Sequence, residues 1–259
     1  MNKSSIWLPI VLYMQLAACN KEEKPAATKD IYSDQNVLSK NTRTKSGCPL
    51  IDPSNFVNSI TNPYFPLKPG TVYHYINRVE EDNTITYEQT EVSVLPNTKM
   101  IEGVACQVVH DVVKVNGKVT ENTYDWYAQD KSGNVWYMGE HTKSLKEEHG
   151  WTTEGSWKAG TRHACAGIIM WADPQAHAWE VYYQEYLPGI AEDQGQVVNT
   201  NSTVTVPYGT FTGCVKTKEF TSLEPGVIEY KYYAAGVGLL KTEMAKGGND
   251  VEVLTSIRH

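Results

Sequence analysis

The sequence predicts an all-β fold, an antiparallel meander of about ten strands curled into a barrel or half-barrel. β-Branched and aromatic residues dominate from residue 71 onward, and such residues favour strands. Turn residues recur there at strand-length spacing, and no stretch shows a sustained helical period with capping residues. Because the links between successive strands are short, we expect antiparallel neighbours.

Recognisable turns separate the predicted strands. Polar residues 80–83 join the first two, and Asn116-Gly117 marks the tightest hairpin, since both central residues of a type I′ turn need positive φ. Residues 130–134 (DKSGN) and 247–250 (GGND) supply two further turns. We predict strands at residues 71–79, 84–95, 103–115, 119–129, 135–138, 178–186, 197–206, 210–220, 227–234, 239–244 and 251–258.

The stretch 124–140, YDWYAQDKSGNVWYMGE, contains five aromatic rings. We interpret it as two strands joined by the turn at 130–134, because a half-buried sheet favours aromatic residues. Side chains alternate between the two faces of a strand. One face is predicted to carry Tyr124, Trp126 and Ala128, and the other Asp125, Tyr127 and Gln129.

The strand pattern is lost between residues 140 and 177, and we predict a long irregular insert there. Loops of that length inside a compact domain are uncommon and are often functional. Together with a curved sheet, such an insert would form a pocket beneath a lid. The bulky residues of the insert that we predict to contact a ligand are Trp151, Trp157, Met170 and Trp171.

Residues 1–18 are typical of a lipoprotein signal peptide. One cation, Lys3, precedes an apolar run from Ile6 to Met14. This run is too short to span a bilayer, since a spanning helix needs about 20 apolar residues. The quartet LAAC that ends at Cys19 resembles a lipobox, which implies that Cys19 is lipidated and begins the mature chain. We expect this lipid to be the contact with the membrane.

Residues 19–46 are predicted to form a flexible tether, because they are too polar to offset the entropy of ordering. Lys21-Glu22-Glu23 resembles the surface-export signal of lipoproteins in one large group of Gram-negative bacteria, and a solvated charged stretch is the alternative. No aspartate follows Cys19, so the chain does not resemble lipoproteins retained at the inner membrane. We predict an outer-membrane location, with surface exposure as a hypothesis. Residues 47–259 are predicted to form a single β domain.

The formal net charge is −7, and the folded part contains no basic cluster. Nucleic-acid binding depends on Lys and Arg to neutralise phosphates, so we expect no nucleic-acid partner. The histidines show no HxH or HExxH spacing, and Gly236-Val237-Gly238 lacks the helix of a nucleotide-binding loop. We therefore predict neither a metal nor a cofactor.

Four cysteines remain once Cys19 is set aside, and in an oxidising envelope an even number suggests up to two disulfides. Cys106 and Cys214 fall within apolar strands, where sulfur packs as a hydrophobe. We predict a Cys48–Cys165 disulfide, which would tie down the start of the domain and the insert. Cys106 and Cys214 would be either free and buried or paired. A copper site is the alternative for Cys165, with His163, Met170 and His177 as further soft ligands.

Seven motifs are spread over residues 62–239: NPYFPLKPGTVY, YDWYAQDKSGNVWYMGE, EGSWKAG, GIIMWADP, YYQEYLPGIAED, VPYGTF and KYYAAGVGL. In these motifs the chain resembles an uncharacterised family of secreted and lipid-anchored bacterial proteins, and the resemblance implies no particular activity. More loosely, VPYGTF and YYAAGVGLLK resemble the last strands of periplasmic half-barrels that fold like lipoprotein carriers. That second resemblance implies a curved sheet with an apolar concave side.

We predict a non-enzymatic, lipid-anchored protein of the outer envelope, whose β domain binds a small or amphipathic ligand in a pocket of the curved sheet. A carbohydrate-binding or carbohydrate-active protein is the alternative, because carboxylates flanked by aromatic rings bind and hydrolyse sugars. A structural envelope component without a small ligand is a third possibility. The acidic residues of this carbohydrate site would be two of Glu140, Glu154, Asp173 and Glu185. The competing interpretation is that these acids only solvate loops.

Overall fold

A computed structural model describes residues 47–81, 84–146 and 149–259. The predicted signal peptide, Cys19 and the tether at 19–46 lie outside the described residues. The described residues form sixteen strands in one antiparallel sheet that nearly closes into a barrel, which confirms the predicted all-β fold. Within these ranges, no helix is long and apolar enough to cross a membrane.

Within the described residues, a 3₁₀ turn at Pro53–Asn55 precedes the first strand. Most strands pair with their neighbours in sequence, so the main path around the sheet is close to a meander. The strands are β1 (Phe56–Val57), β2 (Val72–Glu81), β3 (Thr84–Ile101), β4 (Val104–Val115), β5 (Lys118–Asp130), β6 (Val135–Lys146), β7 (Gly150–Thr152), β8 (Trp157–Lys158), β9 (Cys165–Met170), β10 (Val181–Tyr183), β11 (Glu185–Tyr186), β12 (Asp193–Val206), β13 (Gly209–Thr221), β14 (Ile228–Ala234), β15 (Gly238–Lys246) and β16 (Val251–Arg258).

Residues 181–186 bridge the two edges of the sheet by changing partners midway. β10 pairs with β12 on one side, and β11 pairs with β9 on the other. The backbones approach so closely there that a Cβ on Gly167 would lie 2.3 Å from the carbonyl oxygen of Tyr183. Glycine is therefore required at this position of β9, where no side chain fits.

The largest extensions beyond the predicted strand ends are those of β3 and β6. β3 passes through Pro96, which lies in an irregular stretch of its pairing with β4 between Val94 and Thr98. Proline is tolerated at such bulges because it has no N–H to donate to the ladder. β6 continues beyond the predicted 135–138 as far as Lys146.

About half of the insert predicted at 140–177 is strand, since the end of β6 and all of β7, β8 and β9 lie within it. β7 and β8 are short and both pair with β6. Hydrophobic alternation does not reveal β6 because its inward side chains beyond Gly139 are polar. These buried side chains are Glu140, Thr142 and Ser144.

One end of the barrel interior is closed by the NPYFPL motif. Phe65 packs edge-on against Tyr127, with ring centroids 5.2 Å apart. The Asn62 side chain donates to the carbonyl oxygens of Gly133 and Trp171, which fixes the motif to the β5–β6 turn and to the end of β9. The apolar core therefore lies at this end of the barrel.

Cys48 and Cys165 form a disulfide with their Cα atoms 5.2 Å apart, which confirms the predicted pairing. It joins the start of the domain to the first residue of β9. Cys106 and Cys214 are free and buried, which is one of the two alternatives left open for them. Because its sulfur is in the disulfide, Cys165 does not serve as a copper ligand.

Candidate functional site

β5 and β6 carry different chemistry on their two faces. Tyr124 is 37% exposed and Asp125 is buried and faces the interior, as the predicted alternation requires, but every residue from Asp125 to Asp130 is buried, so burial does not separate the two faces further along β5. Inward residues of both strands contribute to an acidic interior, and outward residues line an open groove. These two places are the candidates for a functional site.

Ten carboxyl groups lie inside the barrel at the end opposite the NPYFPL motif. Asp193 is partly buried and the other nine are more than nine-tenths buried. Burying an ionised carboxylate is costly unless it is paired or protonated. We call this set the acidic interior: Glu88, Asp111, Glu121, Asp125, Glu140, Glu185, Asp193, Glu219, Glu229 and Glu252.

A lysine neutralises one acidic pair of this interior. Glu219 of β13 lies directly opposite Glu229 of β14, and Lys231 Nζ lies 2.6 Å from Glu219 Oε2. Burial opposes the charge of Lys231, but these two carboxylates raise its pKa above the ordinary value. The ammonium group therefore stays charged and offsets one of the two carboxylate charges.

A tyrosine occupies the equivalent place in a second acidic pair. Asp125 of β5 lies directly opposite Glu140 of β6. The Tyr137 hydroxyl oxygen lies 2.6 Å from Asp125 Oδ1 and 3.1 Å from Glu140 Oε2. Burial raises the pKa of Glu140 well above its ordinary value, and the negative charges of Glu185 and Asp125 raise it further.

Further carboxyls of the interior are held by neutral donors. The Asn77 amide donates to Glu88 Oε2 at 3.0 Å, and the Thr90 hydroxyl donates to Glu252 Oε1 at 2.7 Å. Burial raises the pKa of Glu88 to about 7 and that of Glu252 to about 8. Among the described residues, neither carboxylate oxygen of Asp111 has a hydrogen-bond partner.

The structure brings together only two of the four acids predicted for a carbohydrate-active site. Glu140 and Glu185 both face the acidic interior, and each is 1% exposed. Burial raises the pKa of Glu185 well above its ordinary value, and the negative charge of Asp193 raises it further. Within the described residues, neither carboxylate oxygen of Glu185 has a hydrogen-bond partner. Glu154 and Asp173 are exposed, and Asp173 caps a turn by accepting from two backbone N–H groups.

Three of the four predicted lid residues belong to the core instead. Trp157 packs edge-on against Tyr137 at 5.3 Å between ring centroids, and Trp171 stacks on His177 at 3.8 Å. Met170 is fully buried. These three residues are buried because they lie on or beside β8 and β9. Sequence patterns did not reveal these two strands. Only the fourth, Trp151, is exposed, at 51% of its surface.

Trp151 lines a groove of about 700 Å³ on the outer face of β5, β6 and β7. Its volume lies within the range of small-molecule sites, roughly 300–1,000 Å³. We call it the outer groove. Its lining residues are Val119, Asn122, Tyr124, His141, Lys143, Trp151, Thr152 and Thr153.

Strand register positions the aromatic side chains of the outer groove. Trp151 on β7 is opposite Leu145, and Tyr124 on β5 is opposite His141 on β6. His110 of β4 stacks on Tyr124 with ring centroids 4.3 Å apart and an angle of 9° between the planes. The sheet and this stacking hold the Tyr124 ring in place.

Polar groups surround the two rings. Asn122 lies opposite Lys143, and its Oδ1 is 3.2 Å from His110 Nε2. Lys143 and His141 are exposed and offer donors at the groove surface. Sequence reasoning did not single out these residues, because the second half of β6 was not recognised as a strand. With that strand assigned, a period of two places them on the face of Tyr124.

Metal ligation finds no support in the described residues, where no three His, Cys, Asp or Glu side chains converge in an arrangement that could hold an ion. The histidine nearest to Trp171 is His177, which the sequence offered as a copper ligand. His177 stacks on that ring, and its Nδ1 lies 3.0 Å from Glu180 Oε2. Two ordinary contacts therefore account for its position.

Two solved structures show partial structural likeness to the chain. One is a Bacteroides fragilis NCTC 9343 protein, provisionally described as exported and with a YmcC-like fold, at 15% identity and a TM-score of 0.45. The other is a Parabacteroides distasonis ATCC 8503 protein, provisionally described as a lipoprotein, at 13% identity and the same TM-score. Each match covers 76% of this chain and 99% of the other. No family of known proteins matches the chain, and neither does any individual curated protein.

Proposed function

We propose that the protein is a lipid-anchored, non-enzymatic component of the outer envelope that binds a small hydroxyl-rich ligand, a saccharide, in the outer groove. The observation that carries this proposal is the exposure of Trp151 beside Tyr124 in a groove with polar edges. A large indole left half in water on a β-strand loses hydrophobic stabilisation. Binding a ligand would recover it.

The chemistry of the outer groove supports a saccharide over a purely apolar ligand. One face of a sugar ring presents C–H groups that pack on an aromatic ring, and the hydroxyl groups at its edge need donors and acceptors. Trp151 and Tyr124 supply rings, and Asn122, Lys143 and Thr152 supply hydrogen-bonding groups. An apolar ligand would leave these polar groups unpaired.

The interior of the barrel supports this choice by contrast. A ligand in a pocket of the curved sheet was the expectation from sequence, but the concave side is filled by buried side chains at one end and by the acidic interior at the other. The acids Glu140 and Glu185 point away from the outer groove. The proposal is therefore recognition on the convex face, without hydrolysis.

Binding is tested with the mature chain made soluble by Cys19→Ala, against cellohexaose, maltohexaose, mannohexaose and soluble muropeptides. We expect one of these probes to bind, and Trp151→Ala to weaken that binding by about tenfold or more, since tenfold corresponds to 1.4 kcal/mol. Trp179→Ala is the matched control, because Trp179 is 68% exposed but lies outside the groove. Equal loss in both variants, or no binding of any probe, would refute the proposal and favour a structural role.

The anchor is tested separately. Cys19→Ala should move the protein from the membrane to the soluble fraction without unfolding it, because the tether is predicted to contribute no core residues. Metabolic labelling with palmitate should be lost in this variant. Replacing Glu22 and Glu23 by Ala should leave lipidation intact but remove protease accessibility on whole cells, and unchanged accessibility would reject the surface-export hypothesis.

A further inference from the structure

We propose that Asp125, Tyr137 and Glu140 form a proton-binding site inside the barrel, in which one of the two carboxyl groups stays protonated at neutral pH and holds β5 against β6. This inference goes beyond the proposed function and does not depend on it. It concerns buried groups that the outer groove does not use.

Two acidic pairs of the interior lie on directly opposed residues of neighbouring strands. Like charges facing each other across strands destabilise a sheet. In the Glu219–Glu229 pair the ammonium of Lys231 resolves this conflict at 2.6 Å. The Asp125–Glu140 pair has a neutral phenol in the corresponding place, so a proton is the remaining means of neutralisation.

One phenol bridges both carboxyl groups of the site. The Tyr137 hydroxyl carries one proton, yet its oxygen is within hydrogen-bond distance of both Asp125 Oδ1 and Glu140 Oε2. A single proton makes one good hydrogen bond, and the shorter contact assigns it to Asp125. The contact with Glu140 becomes a second hydrogen bond when protonated Glu140 donates to the phenol oxygen. The hydrogen-bond geometry is complete only with that added proton.

The surroundings of the pair contain further acids. The titratable groups whose charges act on Asp125, Glu140 or the bridging phenol come from β4, β5 and β11. Within the described part of the chain, none of these groups is a lysine or an arginine. The remaining oxygens, Asp125 Oδ2 and Glu140 Oε1, have no hydrogen-bond partner in the described part of the chain. The groups that face the site are Asp111, Glu121, Tyr127 and Glu185.

This site lies directly behind the outer groove. The pair Asp125–Glu140 occupies the rung of the β5–β6 ladder next to Tyr124–His141, and the two rungs point to opposite faces. Loss of the shared proton would place two like charges on opposed residues there. The protonation state of the site therefore acts on the strand pairing that supports the groove.

The test is infrared spectroscopy combined with unfolding of the Cys19→Ala chain as a function of pH. At pH 7 the wild-type background should show the carbonyl band of a protonated carboxylic acid, and Glu140→Gln should remove part of it. The equilibrium constant for unfolding should rise with pH in the wild type. In Glu140→Gln, the factor by which it rises per pH unit should be about tenfold smaller, because unfolding of this variant releases one fewer proton.

Glu154→Gln is the matched control, because Glu154 is an exposed acid of the same region. It should keep the wild-type band and the wild-type pH dependence. Tyr137→Phe, which keeps the ring and removes the bridge, should shift the acid band and lose more stability at pH 8.5 than at pH 6. An unchanged band together with a wild-type pH slope in Glu140→Gln would overturn the proposal.

Discussion

Trp151 and Trp157 lie six residues apart, yet the first is 51% exposed and the second 3%. Trp157 sits on β8 and packs against Tyr137 above the acidic interior, whereas Trp151 sits on β7 and faces the outer groove. Both residues lie in a segment without a hydrophobic pattern. The two indoles should therefore respond in opposite ways to truncation, one in stability and the other in binding.

Trp157→Ala should destabilise the domain by about 3 to 5 kcal/mol, because it removes a buried aromatic side chain from the core. Trp151→Ala should change the free energy of unfolding by less than about 0.5 kcal/mol, as is usual for exposed positions. Denaturant unfolding of both variants measures the difference. Similar losses in the two variants would show that Trp151 has a structural role.

The Cys48–Cys165 disulfide should contribute about 4 to 5 kcal/mol, because it closes a loop with a sequence separation of 117 residues in the unfolded chain. We expect Cys48→Ala/Cys165→Ala to lower the free energy of unfolding by this amount under oxidising conditions. A reductant should bring the wild type to the stability of the double variant and leave that variant unchanged. Equal stability of both proteins before reduction would contradict this prediction.

The acidic interior should make the domain less stable as pH rises. Burial raises the pKa of Glu121 to about 7 and that of Glu252 to about 8, from ordinary values of 4.5. Between the ordinary pKa of 4.5 and these raised values, the folded state therefore binds more protons than the unfolded state. The stabilisation that this proton binding gives the folded state is complete below pH 4.5 and is lost as the pH rises through 7 to 8. We expect the melting temperature to fall from pH 6 to pH 8.5.

Lys231→Met isolates one part of this behaviour. Removing the ammonium leaves Glu219 and Glu229 buried without a cation, which should cost about 3 to 5 kcal/mol at pH 8. Burial raises the pKa of Glu229 to about 7 even with Lys231 present, so protonation should reduce the cost at pH 5.5. Lys241→Met is the control, because Lys241 pairs with the partly exposed Glu243. An equal cost of Lys231→Met at both pH values would contradict this explanation.

The fold class and most strands could be predicted because they depend on local signals. The disulfide could be predicted because Cys106 and Cys214 fall within apolar strands, which leaves Cys48 and Cys165 to pair. Asn116-Gly117 marks its hairpin, and aromatic alternation identifies β5. The second half of β6 could not be predicted, because its buried face carries Glu140, Thr142 and Ser144 and a hydrophobic pattern cannot report a polar interior. The outer groove was missed for the same reason. Four of its eight lining residues lie on the second half of β6 or on β7, which pairs with it.

Net charge does not show where in the domain the acidic residues lie. Residues 1–46 carry a formal charge of +3, so residues 47–259 carry −10, and taking away the ten acids of the acidic interior and Lys231 leaves −1 for the rest of the domain. The excess of acidic residues therefore lies inside the barrel. Composition counts charged residues without regard to which face of a strand they occupy, so only the three-dimensional structure separates an acidic interior from an acidic surface.

The central claim is that a saccharide binds in the outer groove on Trp151. Indole N–H resonances of the mature Cys19→Ala chain, followed during titration with the best-binding probe of the saccharide panel, test it most directly. We predict that the Trp151 signal shifts saturably, with the same midpoint as the binding curve, while the signals of Trp179 and of the buried Trp157 stay in place. A binding curve during which the Trp151 signal does not move would contradict the claim.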